Sequence, residues 1–234
     1  MAFRFQQFGV NDSQCAMKVG TDGVLLGAWA SVTGKQALDV GTGSGLIALM
    51  LAQRNPVLRI HALDIDPQAV AQASDNFNAS PFAGRLSCSV ADFRFYDQFQ
   101  PSAFDLVVCN PPFFAGGMGM GIGREMARQQ HALPLTTLLE GAAHLLTEGG
   151  GLAVIIPFSQ VAPAIIDAAA CGLHLTRRLD VHSLPDKPAL RTLLEWRKGP
   201  ADKTPDVVPG SITLNDGAGR RSKEYTLLTK DFYL

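Results

Sequence analysis

The sequence has few charged residues, and it lacks any long hydrophobic run. Charged side chains make up 18% of its 234 residues, and 20 basic against 21 acidic side chains leave a formal net charge of −1. This balance excludes a strongly basic protein that packages nucleic acid. At 47% hydrophobic residues the chain is too apolar for disorder. No run approaches the roughly 18 apolar residues of a membrane span.

Cysteine is also scarce. The four cysteines are scattered without a CxxC pair, which argues against a zinc site, and nothing in their use indicates an oxidising compartment. The first residues lack the apolar core of a signal peptide. We therefore expect a cytoplasmic protein with no metal and no membrane partner.

The chain has the alternating pattern of an α/β protein. From residue 36 to about residue 198, short β-like segments alternate with helical ones. This alternation predicts a Rossmann-like, doubly wound, mostly parallel sheet. The segments Leu173–Val181 and Leu190–Trp196 predict a late antiparallel strand pair. Such sheets bind ligands at the carboxyl ends of their strands.

Two further segments flank the 36–198 core. Residues 1–35 precede the first core strand. Residues 199–210 are rich in proline, aspartate and lysine and predict a linker. Beyond the linker, Ile212–Leu214 and Tyr225–Leu228 flank an Asn-Asp-Gly turn signal, which predicts a C-terminal hairpin packed on the same domain.

A glycine-rich loop follows the first core strand, with the sequence Asp-Val-Gly-Thr-Gly-Ser-Gly. Its glycines follow G-x-G-x-G rather than the dinucleotide pattern G-x-G-x-x-G, and no GK[ST] follows. The loop resembles that of S-adenosylmethionine-dependent methyltransferases, which implies a class I methyltransferase fold and S-adenosyl-L-methionine as cofactor. The loop residues assigned to the cofactor are Asp39, Gly41, Thr42, Gly43, Ser44 and Gly45.

Acidic residues follow the next two strands. Asp64, with Ile65 beside it, comes roughly 20 positions after the loop, where an acidic side chain binds ribose hydroxyls. Asp66 precedes Pro67 and is better explained as a helix cap. Asp92 follows Ala91 at the next strand end. By resemblance to the fold family, Asp92 accepts from the adenine amino group and Ala91 lies beside it; the alternative is a solvated turn aspartate.

The most specific motif follows the strand Phe104–Cys109 and consists of Asn110, Pro111, Pro112 and Phe113. Two prolines hold the backbone extended, so the Asn side-chain oxygen and the Asn–Pro carbonyl can point outward together. Two such acceptors favour a pyramidal nitrogen in a conjugated amine, whose lone pair then faces a methyl donor. Phe113 offers a flat surface for a base.

Asn-Pro-Pro-(Tyr/Phe) is similar to the signature of methyltransferases that act on adenine, guanine or glutamine amino groups. The segments 3–8, 17–27 and 230–234 resemble the bacterial tRNA1(Val) adenine N6-methyltransferases, which modify the adenosine 3′ of the anticodon. The resemblance covers essentially the whole chain. It implies that residues 1–35 cap the cofactor, with Thr21 and Asp22 near its methionine end and Asn110 beside it. Thr21 or Asp22 could equally serve as a helix N-cap.

The resemblance implies a tRNA anticodon loop as partner of a monomeric enzyme. Five of the eight residues from 116 to 123 are glycines, consistent with either a flap over a flipped nucleotide or a plain surface loop. Candidate RNA-binding residues lie in basic clusters. They are Arg124, Arg128, Arg220, Arg221 and Lys223.

Three alternatives remain open. Asn-Pro-Pro-Phe also occurs in rRNA guanine N2-methyltransferases, although those are commonly larger. Glutamine N5-methyltransferases share the motif, although they usually carry a separate helical domain. The third is an inactive RNA- or nucleotide-binding module, which the complete set of motif residues argues against.

Overall fold

The computed structural model describes residues 3–111, 133–200 and 207–234. These residues form an eight-stranded sheet and a small antiparallel ladder of two strands near the N-terminus, β1 and β2. The strands are β1 (Phe3–Arg4), β2 (Gly9–Val10), β3 (Gln36–Val40), β4 (Arg59–Asp64), β5 (Leu86–Val90), β6 (Phe104–Cys109), β7 (Leu146–Pro157), β8 (Leu173–His182), β9 (Ala189–Lys198) and β10 (Gly210–Thr213).

Helices cover both faces of the large sheet. They are α1 (Thr21–Trp29), α2 (Leu46–Arg54), α3 (Pro67–Asn78), α4 (Leu135–Leu145), α5 (Val161–Ala170) and α6 (Lys223–Thr229). Buried residues of α1, α2, α3 and α6 belong to one apolar cluster, and those of α4 and α5 to another. In β6, Leu106 and Val108 join the first cluster while Val107 and Cys109 join the second. This period of two is that of a strand buried on both faces.

The order of the large sheet is β10-β8-β9-β7-β6-β3-β4-β5. The strands from β7 to β5 pair in parallel, β9 is antiparallel to both β7 and β8, and β10 is parallel to β8. All strands except β9 therefore end at one edge, here called the carboxyl edge. The predictions of a mostly parallel, doubly wound sheet and of a late antiparallel pair are confirmed.

The predicted C-terminal hairpin is wrong. Instead of pairing with a returning strand, β10 extends the sheet along β8, and the segment that contains Tyr225–Leu228 is helical. The Ser222 hydroxyl caps this helix by accepting from the Tyr225 amide at 3.0 Å. Tyr225 and Thr229, one helical turn apart, are both buried. The Asn-Asp-Gly turn remains as a short loop, closed by a bridge between Asn215 and Arg221 and by backbone hydrogen bonds from Asp216 to Arg220 and from Ser222 to Leu214.

The start of β7 also differs from expectation. The run Gly149–Gly151 predicts a helix end followed by a strand from Leu152. In the structure α4 ends at Leu145 and β7 begins at the next residue, because Leu146 pairs with Phe104. A register shift between Phe104 and Leu106 accommodates the glycines within the strand.

Candidate functional site

The glycine loop turns sharply between β3 and α2. The amides of Gly41 and Thr42 both donate to the Leu63 carbonyl, at 2.8 and 2.9 Å. Gly41 and Gly43 have φ values of 71° and 55°, which favour glycine, and a Cβ at either position would meet nothing within 4 Å. The outer surface of the loop is therefore open to the close approach of a ligand.

The third glycine has a packing role. At Gly45, where φ is 80°, a Cβ would lie 2.4 Å from Cε1 of Phe77 on α3. The absence of a side chain at Gly45 therefore allows Phe77 of α3 to pack closely against the start of α2.

Asp39 lies fully buried beneath this loop. Its Oδ2 accepts from the Thr42 hydroxyl at 2.7 Å, while its Oδ1 has no hydrogen-bond partner among the described residues. Burial raises the pKa of the carboxyl from its usual 3.8 to about 7, while the Thr42 hydroxyl and the Ala48 amide act in the opposite direction. A buried acceptor without a partner fits a ligand that brings a positively charged or N–H group. S-adenosyl-L-methionine has such groups.

Asp64 lies at the end of β4, next to the loop. Its Oδ2 accepts from the Gly43 amide at 2.8 Å, and its Oδ1 accepts from the Asp66 amide at 3.0 Å. These bonds hold the half-buried carboxylate beside the open glycine surface, with Ile65 partly exposed next to it. Asp66 caps α3 by accepting from the Gln68 amide at 2.9 Å, which confirms the cap interpretation.

Asp92 and Ala91 follow β5 at the same edge. The Ala91 amide donates to the Asp64 carbonyl at 3.0 Å. Asp92 accepts from the Arg94 amide at 2.9 Å and forms an ion pair with the Arg94 guanidinium. The carboxylate thus caps a short 3₁₀ turn at the carboxyl edge.

The N-terminal end of α1 also reaches the carboxyl edge. Asp22 Oδ2 accepts from Arg191 Nε at 3.1 Å, and Arg191 is opposite Pro157, the last residue of β7. The N-cap of α1 is Gly20, with no side-chain cap bond. The alternative that Thr21 or Asp22 acts as the cap is therefore wrong.

Sequence reasoning missed a hydrogen-bonded link through Asn76 on α3. Its Nδ2 donates to the carbonyls of Asn11 and Ser44, both at 2.8 Å, and its Oδ1 accepts from the Asn11 amide at 2.9 Å. Nearby, the Ser13 hydroxyl donates to Gln72 at 3.3 Å. The N-terminal segment is thereby joined to the glycine loop. A signal existed, because Gln72 and Asn76 share a helix face with the buried Ala73 and Phe77.

Asn110 directly follows β6. Because Cys109 pairs with Val40, Asn110 comes out of the sheet next to Gly41. Asn110 is half-buried and Pro111 is buried. Burial raises the pKa of the Cys109 thiol well above its usual value, which suits a core residue rather than a nucleophile. Outside the described residues lie Pro112, Phe113, the glycine run 116–123, Arg124 and Arg128.

The C-terminal basic residues lie at the same edge but far along it. Arg220 pairs with Asp216 at 2.9 Å, the Arg221 guanidinium lies 4.5 Å from the centroid of the Tyr225 ring, and Lys223 is exposed. β10 is four strands from β6, which is roughly 19 Å at the usual strand spacing. The structure therefore does not bring these side chains to Asn110.

Within residues 3–111, 133–200 and 207–234, no group of three or more His, Cys, Asp or Glu side chains could hold a metal ion. In the same ranges, no helix has the length and apolar character needed to cross a membrane.

This geometry can be compared with known proteins. Residues 13–171 match the family model of the methyltransferase small domain. The tRNA1(Val) (adenine(37)-N6)-methyltransferase of Porphyromonas gingivalis is 43% identical over 99% of this chain and 94% of its own length. The protein of the same name from Christiangramia forsetii is 40% identical over 99% of this chain and 97% of its own length.

Solved structures share the fold at low identity. A predicted O-methyltransferase from Agrobacterium tumefaciens matches with a TM-score of 0.67 at 18% identity, covering 90% of this chain and 96% of its own. A TehB-like SAM-dependent methyltransferase from Corynebacterium glutamicum matches with a TM-score of 0.51 at 19% identity, covering 77% and 89%. These structures show the fold, while the family model and the relatives at 40–43% identity show that the chain belongs to the methyltransferase small domain family and to the family of the tRNA1(Val) (adenine(37)-N6)-methyltransferases.

Proposed function

We propose that this protein methylates the exocyclic N6 amine of an adenosine in tRNA, the one 3′ of the anticodon in tRNA1(Val). The observation that carries the proposal is the position of Asn110, the first residue of Asn-Pro-Pro-Phe, beside Gly41 of the glycine loop. The names of relatives about 40% identical over the full chain support the same substrate.

The enzyme uses S-adenosyl-L-methionine, which supplies the methyl group as an electrophile. In our proposal Asp64 accepts from its ribose hydroxyls, Asp92 from its adenine amine, and the buried Oδ1 of Asp39 faces its positively charged methionine end. The open surface over Gly41 and Gly43 lets the backbone approach it closely. Thr42, Ser44, Ile65 and Ala91 line the same pocket, with Thr21 and Asp22 at the start of α1.

Asn110 acts on the target amine. The adenine N6 lone pair is delocalised into the ring, so the amine is a weak nucleophile. The Asn110 Oδ1 and the Asn110 carbonyl each accept one of the two N–H groups of the amine. This arrangement favours a pyramidal nitrogen whose lone pair is directed at the methyl group. The nitrogen becomes positively charged only after attack, and its proton then leaves to water. Catalysis rests on positioning and electrostatics, with Phe113 as the stacking surface.

The organisation of the chain follows from this role. Residues 1–35 act as a cap over the cofactor, 36–198 as the catalytic core, and 199–234 complete the same domain. The hydrogen bonds between Asn76, Asn11 and Ser44 support this role of the N-terminal segment. We place the enzyme in the cytoplasm, where tRNA is modified, as a monomer.

The test is mass spectrometry of nucleosides from bulk tRNA that has been incubated with the enzyme and labelled methyl donor. We expect label in N6-methyladenosine. Label in N2-methylguanosine would contradict the proposal. So would labelled protein that still forms after ribonuclease treatment, which would identify a glutamine methyltransferase.

A further inference from the structure

An exposed apolar pair lies at the end of the β7–β9 ladder. The ladder pairs Ile156 with Thr192 and ends where Pro157 pairs with Arg191. Phe158, the first residue of a 3₁₀ turn, and Leu190 follow at this same end of the two strands. Their exposed fractions are 42% and 52%. Phe158 lies next to Arg178, which pairs with Leu194 on the sheet face that carries α4 and α5.

The exposure of this pair is unusual for its face. Further down the same ladder, Val154, Ile156, Leu194 and Trp196 are all 0% exposed. Beyond the buried Thr192, apolar side chains thus reach the carboxyl edge in an exposed position. Two exposed apolar side chains side by side indicate a binding surface more than a scattered single residue does.

A guanidinium group adjoins the pair. Arg178 of β8 lies 5.6 Å from the centroid of the Phe158 ring. Two hydrogen bonds to Asp180, from Nε at 3.0 Å and from Nη2 at 2.9 Å, fix its plane. Asp180 is held in turn by the Thr192 hydroxyl at 2.9 Å. A ring and an oriented guanidinium plane together are the surfaces on which unpaired nucleobases stack.

The pair lies close to the proposed site of methylation. β7 is the neighbour of β6, and Cys109 pairs with Val154. Strand spacing and rise place Phe158 roughly 10 Å from Asn110. A nucleotide that flanks the methylated one can span such a distance.

We propose that Phe158, Leu190 and Arg178 form a second base-stacking site, which binds an unpaired base next to the methylated adenosine in the RNA. This inference rests on the proposed function. The site contributes to holding the loop and takes no part in methyl transfer. An interaction that is equally strong in the ground state and in the transition state lowers KM without changing kcat.

The experiment measures methylation kinetics of the full-length enzyme with an anticodon stem-loop RNA and with intact tRNA. Phe158→Leu keeps apolar volume and removes the ring, so we expect kcat/KM for RNA to fall about tenfold through KM. Phe158→Trp, which keeps an aromatic ring, should retain the wild-type kcat/KM for RNA. The Kd for S-adenosyl-L-methionine, measured by calorimetry, should stay unchanged in both variants.

A matched control is available for the leucine. Leu190→Ala should raise KM for RNA, whereas Leu227→Ala, at a 67% exposed leucine on α6, should not. If the wild type methylates RNA and Phe158→Leu is equally efficient, the stacking site is wrong and the proposed function stands. A parallel fall in the affinity for the methyl donor would also overturn it. If the wild type methylates no RNA, the proposed function and this inference fail together.

Discussion

The carboxyl edge of the sheet has two parts with different chemistry. At the ends of β3, β4 and β5 it carries the carboxylates Asp39, Asp64 and Asp92, each bonded to a nearby hydroxyl, amide or guanidinium group. From β7 onwards it carries the exposed ring of Phe158 next to the Arg178 guanidinium, whereas the Tyr225 ring beside Arg221 is buried. Oxygen acceptors suit a ligand rich in O–H and N–H groups, whereas rings with cations suit bases and phosphates.

Asn110 lies at the boundary, because β6 is the strand between β3 and β7. The two parts should therefore be separable by mutation. Changes in the acidic part should affect the methyl donor, changes in the aromatic part should affect RNA, and a change at Asn110 should affect the chemical step.

The largest effect should come from Asn110→Ala. Loss of the acceptor for the target amine should lower kcat by about 100-fold or more. Calorimetry should show nearly unchanged binding of S-adenosyl-L-methionine. Equal loss of binding and turnover would mean that Asn110 is structural and that the boundary between the two parts is misplaced.

Next in size should be Asp64→Ala. Removal of this acceptor should raise the Kd for S-adenosyl-L-methionine by about tenfold or more, with little change in RNA affinity. Asp66→Ala is the matched control, because Asp66 caps α3 and its loss should lower stability rather than affinity. If Asp64→Ala left the Kd unchanged, Asp64 would have no place in the site.

A smaller effect is expected for Asn76→Ala, which removes the link between the N-terminal segment and the glycine loop. The variant leaves partly buried backbone groups of Asn11 and Ser44 unpaired. We expect a loss of about 1–3 kcal/mol in the free energy of unfolding, measured in urea. The affinity for the methyl donor should fall severalfold. A stability loss without any change in affinity would show that the link does not position the loop.

The last prediction concerns the dependence of stability on pH. Because burial raises the pKa of Asp39 to about 7 in the folded chain, the folded state holds this proton between about pH 4 and pH 7 while the unfolded state loses it. The contribution of Asp39 to stability therefore falls as pH rises through this window. Asp39→Asn should remove that part of the slope, as urea unfolding at several pH values would show. If the free energy of unfolding changed equally with pH in both proteins, Asp39 would be ionised in the folded chain throughout this window.

The acidic part of the edge was predictable because its signals are local. Each carboxylate follows a β-like segment within a few residues, and parallel strands bring such positions to one edge whatever the details of packing. The cap role of Asp66 follows from Pro67 in the same way. Asn110 could be placed because two prolines must end the strand.

The other part depends on contacts between distant segments, which no local pattern specifies. The Tyr225 segment has the apolar content of a strand, yet Ser222 caps it as a helix and β10 pairs with β8 instead of with this segment. Arg191 binds Asp22 across 169 positions of sequence. Phe158 and Leu190 become neighbours only through the antiparallel register of β7 and β9.

The central claim is methyl transfer to the amine of one adenosine. Its most direct test uses tRNA1(Val) from a strain that lacks the gene, incubated with labelled methyl donor and either wild-type enzyme or Asn110→Ala. After nuclease digestion, fragments are mapped by mass spectrometry. We predict N6-methyladenosine at the position 3′ of the anticodon with wild type and almost none with the variant. Methylation at another base, or equal labelling by both proteins, would contradict the account.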